Sequence, residues 1–272
     1  MFLSVASLNS GSNGNCYYVG NSKEAVLIDA GISCRETGIR MKRLGLSMQN
    51  VKAIFITHEH TDHIKGMDVM AHKYQVPIYI TEKTLNGGRL KRNKRLWVHF
   101  NADEPIRIGE MIIHPFSKFH DAADPHSFSI EYNGLRVGVF TDIGSVCENL
   151  IAHFQQCDAA FLEANYDEVM LEQGSYPIYL KNRIRGGHGH LSNRQAFELF
   201  TAYKPKFMSH LFLSHLSREN NDPTLVHDLF YKHAKGTNIV VASRYKETDV
   251  YRISRSGTEV ASPPKAMQAS LF

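Results

Sequence analysis

Short apolar runs separated by polar, turn-forming clusters set the pattern of the chain. Ala25-Val26-Leu27-Ile28, Ala53-Ile54-Phe55-Ile56 and Ala159-Ala160-Phe161-Leu162 contain no polar position. Runs of this length between turn signals read as buried strands, and 135–140 reads the same way. Residues 2–8 alternate weakly and, with Cys16-Tyr17-Tyr18-Val19, suggest an antiparallel opening joined by turns. Further strands are expected at 77–80, within 96–141, and at 206–213, 238–242 and 248–253. Ser33-Cys34-Arg35-Glu36 is a capping box that opens a helix to about Leu44, with Gly45 as its stop. Other helices are expected after Thr81, at 146–154 and 167–172, from Pro177, from Ser192 to about Tyr203, and from Asp222-Pro223. The stretch 183–191 reads as a basic loop broken by glycines. Strands come first and a strand-and-helix run follows, twice over. That order predicts an α/β (α+β) domain over residues 1–272, with two sheets packed together and helices outside. The polar tail from Ser254 is expected to fray.

Composition narrows the setting. The hydrophobic share of 43% and charged share of 21% are those of an ordinary soluble domain, and no run approaches a membrane span. Residues 1–7 lack the basic region and apolar length of a signal peptide. The four cysteines show no Cys-x-x-Cys spacing, so a reduced, cytoplasmic protein is the simplest expectation. The net charge of +4 suits an anionic partner without requiring one. The densest basic run, residues 89–95, is by default a solvated face. A phosphate-backbone contact is its second reading.

The candidate chemistry is concentrated in Thr57-His58-Glu59-His60-Thr61-Asp62-His63, directly after a buried strand and before a helix. In an extended segment His58 and His60 point to one side. Asp62 and His63 turn into the helix start and can face a second point close by. One turn therefore offers two adjacent sets of nitrogen and oxygen ligands, which suit zinc, manganese or iron. Downstream, His120, Asp142 and His215 each follow a predicted strand. The loop 9–15 (Asn-Ser-Gly-Ser-Asn-Gly-Asn) is either a plain turn or a phosphate cradle.

The His-x-His-x-Asp-His pattern, followed in order by His120, Asp142 and His215, resembles the signature of the metallo-β-lactamase superfamily. The resemblance implies a four-layer αββα sandwich with two divalent metal ions at the edge between the sheets. Carried over by position, His58, His60 and His120 would hold the first ion. Asp62, His63 and His215 would hold the second, and Asp142 would bridge them. The loop 9–15, Phe140-Thr141-Asp142-Ile143-Gly144, Gly189-His190-Leu191-Ser192-Asn193 and the stretch 215–221 look like the YycJ/WalJ group, small bacterial members regarded as DNA exonucleases. Gly189-His190-Leu191-Ser192 is also similar to a segment of tRNase Z. The short span from Asp142 to His215 leaves no room for the extra domain of RNase J and CPSF-type enzymes.

The resemblance implies a metal-dependent phosphodiesterase, a 5′-to-3′ DNA exonuclease with a dinuclear site and a bridging hydroxide. Asp62 would orient that hydroxide, and His190 would protonate the leaving oxygen or hold the phosphate. Ser10, Ser12, Asn13, Arg183, Arg185, Ser192 and Asn193 are the expected substrate contacts. His188 has no counterpart. Competing expectations are a thioester or lactam hydrolase on the same scaffold, an iron redox enzyme, and a non-catalytic metal-stabilised binding protein.

Overall fold

The computed structural model describes residues 1–88, 95–255 and 259–260. Most of the basic run, residues 89–94, lies outside them, as does most of the tail expected to fray, residues 256–258 and 261–272. Among the described residues one sheet has eight strands. Their order is β15 (Glu259–Val260), β14 (Tyr251–Ile253), β1 (Leu3–Asn9), β2 (Cys16–Gly20), β3 (Ala25–Ile28), β4 (Val51–Phe55), β5 (Ile78–Tyr79), β6 (Trp97–Val98). The other has seven: β13 (Asn238–Val241), β12 (His210–Ser214), β11 (Ala159–Glu163), β10 (Leu135–Phe140), β9 (His126–Tyr132), β8 (Met111–Ser117), β7 (Ile106–Ile108).

The sheets pack face to face. Val5, Val19, Ile28 and Phe55 of the first meet Phe128, Ile130, Val139 and Phe161 of the second in one core. Phe55 sets its edge on Phe128 with ring centroids 5.4 Å apart, and Tyr17 lies 5.0 Å from Phe161. Alternate residues of the same strands face outward. Ile54 and Ile78 carry α1 (Cys34–Arg43) and α3 (Met67–Tyr74), while Phe140 and Leu162 carry α5 (Glu148–Phe154), α8 (Asn193–Tyr203) and α9 (Pro223–Tyr231). Central strands covered on both faces are why these runs contain no polar position. The result is the expected four-layer αββα sandwich.

Several expectations shift; the strand expected at 248–253, for one, begins only at Tyr251. The strand expected at 206–213 begins only at His210, because the chain turns at Pro205, whose carbonyl accepts from Met208 N–H. The basic loop expected from Arg183 is helical up to Arg185. α7 (Ile178–Arg185) runs from Pro177 to a break at Gly186, so Arg183 and Arg185 stand on a helix. Within each sheet, β1, β3 and β4, and β8, β10, β11 and β12, run in one sense. The C-terminal ends of these strands supply the site.

Candidate metal centre and active site

Three of these strands end in a residue with left-handed backbone. Asp29 follows β3 with φ 63°, Asp142 follows β10 with φ 55°, and His215 follows β12 with φ 56°. Side chains with a Cβ rarely hold that conformation, and where they do the position tends to be functional. Here it turns each chain off its sheet at the seam. The turn at Asp142 is braced by buried Lys118, whose Nζ donates to the Thr141 carbonyl at 2.5 Å.

Donor atoms converge at that seam in overlapping groups. His58, His60 and His120 form one, and Asp62, His63 and His215 another. His58 Nε2 lies 3.0 Å from His60 Nδ1, which lies 3.4 Å from His120 Nε2. In the second group Asp62 Oδ2 is 3.5 Å from His63 Nε2 and 3.7 Å from His215 Nε2. Asp142 reaches both. Its Oδ2 is 3.3 Å from His63 Nε2, and its Oδ1 is 3.6 Å from His215 Nε2 and 3.8 Å from His120 Nε2.

The opposite face of each buried ring is already engaged. Nδ1 of His63 donates to Asp29 (2.7 Å), that of His120 to the Gly189 carbonyl (3.0 Å) and that of His215 to Glu163 (2.9 Å). Nδ1 of His58 pairs with the Thr57 hydroxyl at 2.9 Å. Each bond leaves Nε2 facing the centre, as an outer partner does for a ligating histidine. Asp142 Oδ2 and His215 Nε2 are buried without a hydrogen-bond partner, although the great majority of buried polar atoms have one. Mixed imidazole and carboxylate donors, aimed inward with lone pairs unused, fit divalent cations.

The electrostatics agree. Burial holds His58 well below the usual imidazole range and His120 down to about 4, so both stay neutral and able to donate a lone pair. Burial also opposes charge on His215, but Asp142, Asp62 and Glu163 outweigh it and raise its pKa to about 10. For the carboxylates, burial works against charge and the surrounding imidazoles prevail, so Asp62 and Asp142 sit below the usual carboxylate range. That attraction for positive charge is one a bound cation would satisfy.

The groups open into a cavity of about 230 Å³. His60, Asp62, Asp142, His190 and His215 form its polar floor. His190 is half-buried, and its Nδ1 donates to Glu163 Oε1 at 2.8 Å. Of the expected substrate contacts, Ser12 and Arg183 line the cavity. The others are placed elsewhere. Ser10 is buried beneath the His215 turn, bonded to Tyr17 (2.8 Å) and accepting His215 N–H (2.7 Å). Asn13 turns away to the Arg244 carbonyl, and Arg185 pairs with Glu172 on the outer surface. Ser192 spends its hydroxyl as the cap of α8 and on Glu168, and Asn193 is locked in an amide pair with Asn221. His188 is exposed with its ring edge on Phe119, away from the floor.

The residues at the site that escaped the sequence reading include three that hold its donors in place. Glu163, wholly buried at the end of β11, accepts from both His190 and His215 through Oε1, and from the Ile143 and Leu191 N–H groups through Oε2. Asp29 orients His63 and the Thr57 backbone. Asn15 donates to Asp62 Oδ2 at 3.1 Å and is equally close to His63 Nε2. The loop 9–15 thus reaches the centre through Asn15. Asp29 and Glu163 carry a signal in the sequence, a lone acid closing a wholly apolar run.

This sandwich, with histidine and aspartate donors gathered at the seam, is the architecture of the metallo-β-lactamase superfamily. The β-lactamase superfamily domain matches residues 24–215. A solved metallo-β-lactamase fold protein, YhfI from Bacillus subtilis, is similar with a TM-score of 0.68 at 18% identity, over 93% of this chain and 100% of its own. In sequence the chain is 34% identical to the exodeoxyribonuclease YycJ of Bacillus anthracis, over 81% of this chain and 85% of that one. It is likewise 34% identical to the exodeoxyribonuclease WalJ of Streptococcus pneumoniae, over 81% and 84%. The chain belongs to the YycJ/WalJ family of metallo-β-lactamase fold hydrolases. Among the described residues no helix is long and apolar enough to cross a membrane.

Proposed function

We propose that this chain is a metal-dependent exodeoxyribonuclease that degrades DNA from 5′ ends in the cytoplasm, with the whole activity carried by one domain. The observation that carries the reading is the pair of donor groups flanking Asp142 at the floor of a cavity that also holds His190 and Arg183. The names of the YycJ and WalJ relatives supply the substrate class. His58, His60 and His120 would hold one ion, Asp62, His63 and His215 a second, with Asp142 between them. Zinc or manganese suits these donors best, and iron is compatible. When bound, such ions supply Lewis-acid charge for the phosphate oxygens and lower the pKa of an attacking water.

The protein's own groups do the rest. Asp62, steadied by Asn15, faces the cavity and can orient the attacking water. Glu163 engages Nδ1 of His190, so Nε2 is the nitrogen left to pass a proton to the leaving oxygen. Arg183, exposed on α7 and partly neutralised by Asp121 at 2.5 Å, offers its remaining N–H groups to a phosphate. Ser12 is the loop hydroxyl on the cavity wall that can meet a 5′ phosphate.

The deciding experiment is a cleavage panel on protein of defined metal content. End-labelled DNA and RNA, linear and circular, are offered beside thioester and lactam substrates. Linear DNA with a 5′ phosphate should be shortened from that end. Hydrolysis confined to thioester or lactam would overturn the reading, and equal cleavage of circles would make the enzyme an endonuclease.

A further inference from the structure

Part of the cavity wall is apolar. It consists of Tyr176, Leu180 and Ile184, with Arg183 beside them. Leu180 and Ile184 lie one turn apart on α7, so they share a face. Unlike α1, α3, α8 and α9, α7 buries none of its residues. Tyr176, Leu180 and Ile184 are only half-buried. An apolar surface left open at a catalytic mouth, opposite charged groups, is what a ligand with one polar and one flat apolar end requires.

We propose that this wall is the base-binding subsite for a single terminal nucleotide, stacked on Tyr176 and packed on Leu180, whose phosphodiester lies over the histidine floor. The inference rests on the phosphodiesterase reading and adds what that reading lacks, a site for the base. Size sets the number of nucleotides. A cavity of about 230 Å³ falls below the roughly 300 Å³ at which pockets for drug-sized ligands begin. A single base fits there, and the subsite as proposed takes the strand end unpaired and releases mononucleotides. Stacking on a tyrosine is tolerant of base identity, because every base has a π-face.

The wall is also joined to the catalytic rim. His190 N–H donates to the Ile184 carbonyl at 2.8 Å, closing the C-terminal end of α7 onto the residue beside the leaving group. Gly189 permits that approach, since a Cβ there would stand 2.1 Å from the same oxygen. A base seated on α7 thus bears on the backbone that carries His190.

The test begins with binding to chelator-treated protein, free of turnover. Single-stranded oligonucleotides ending in an ordinary or an abasic 5′ nucleotide, labelled at the far end, are titrated by fluorescence anisotropy. Wild type should bind the abasic end about 5- to 150-fold more weakly, the range for loss of one stacked base. Tyr176→Ala should weaken binding of the ordinary end by a similar factor and leave the abasic end unchanged. Tyr176→Phe should match wild type, and Leu180→Ala should show a smaller loss of the same kind. Metal-loaded enzyme should release mononucleotides. Equal binding of both ends by wild type, or equal weakening of both by Tyr176→Ala, overturns the subsite even if DNA is cleaved. A base preference without DNA cleavage would uphold the subsite and remove the exonuclease reading. Neither preference nor cleavage removes both.

Discussion

Glu163→Gln removes one charge and almost no volume from the most connected buried acid at the site. Four donors converge on this carboxylate: Nδ1 of His190 and of His215 on Oε1, and the Ile143 and Leu191 N–H groups on Oε2. A carboxamide has one acceptor end and one donor end. If its oxygen faces the histidines, its NH₂ opposes two backbone N–H groups. If it is flipped, the NH₂ meets both imidazoles and forces their protons onto Nε2, the nitrogens needed at the centre. The first orientation leaves two buried groups without partners, and the second costs both histidines the tautomer the centre needs. Each orphaned group costs about 1–3 kcal/mol, so in the first orientation unfolding free energy should fall by roughly 2–6 kcal/mol. Replacing an outer partner of a ligating histidine also lowers metal affinity or activity by about 10- to 100-fold. Urea denaturation, metal content after dialysis against a competing chelator, and kcat on single-stranded DNA read the three effects. Glu163→Asp keeps the charge, so it should recover part of the metal affinity without all of the stability. A Glu163→Gln variant with wild-type midpoint, ion retention and kcat would refute the role assigned to this carboxylate.

Asp142→Ala should lower the occupancy of both ions, read by elemental analysis of dialysed protein; two tightly held ions in the variant would remove its bridging role. His190→Ala should keep its ions and lose about 10²- to 10⁴-fold in kcat. A phenolate leaving group should recover much of that loss if the residue donates a proton, and lost metal would instead make His190 a ligand. His210, far from the centre and packed on Tyr251, is held to about 4 by burial. Its folded pKa lies below the unfolded value of about 6.5, so stability should be intact above that pH and decline as pH falls toward 4. Urea midpoints of chelated protein at pH 7 and pH 5 should differ, and less so in His210→Gln; an unchanged difference would clear His210 of the effect.

The sandwich was legible because its evidence is local. Uninterrupted apolar runs, capping residues and the chain order of strands and helices do not depend on distant partners. The stretch from His58 to His63 was legible for the same reason, four donors within one turn. Glu163, Asp29 and Asn15 were missed because they act through hydrogen bonds to residues 27–52 positions away in the chain. Ser192 and Asn193 show the opposite case. The resemblance of the segment 189–193 to the family suggested ligand contact; in the fold the hydroxyl at the helix start meets the backbone N–H groups there, and the amide pairs with Asn221 on another loop. Glycines at 186, 187 and 189 hid the end of α7, because a helix with no buried stripe leaves little periodic signal.

The division of donors between the sheets has a consequence for assembly. His58 and His60 come from the first sheet and His120 from the second; Asp62 and His63 come from the first and His215 from the second. On the two-ion reading, neither half of the sandwich owns three donors for either ion. An ion held at full strength is then a clasp across the seam, and its binding free energy adds to the docking of one half on the other. During synthesis the first half emerges with two donors of each trio, and the third must wait for later strands. A half-folded chain would therefore be an incomplete chelator with no working centre, and capture of metal would mark the moment the two halves close.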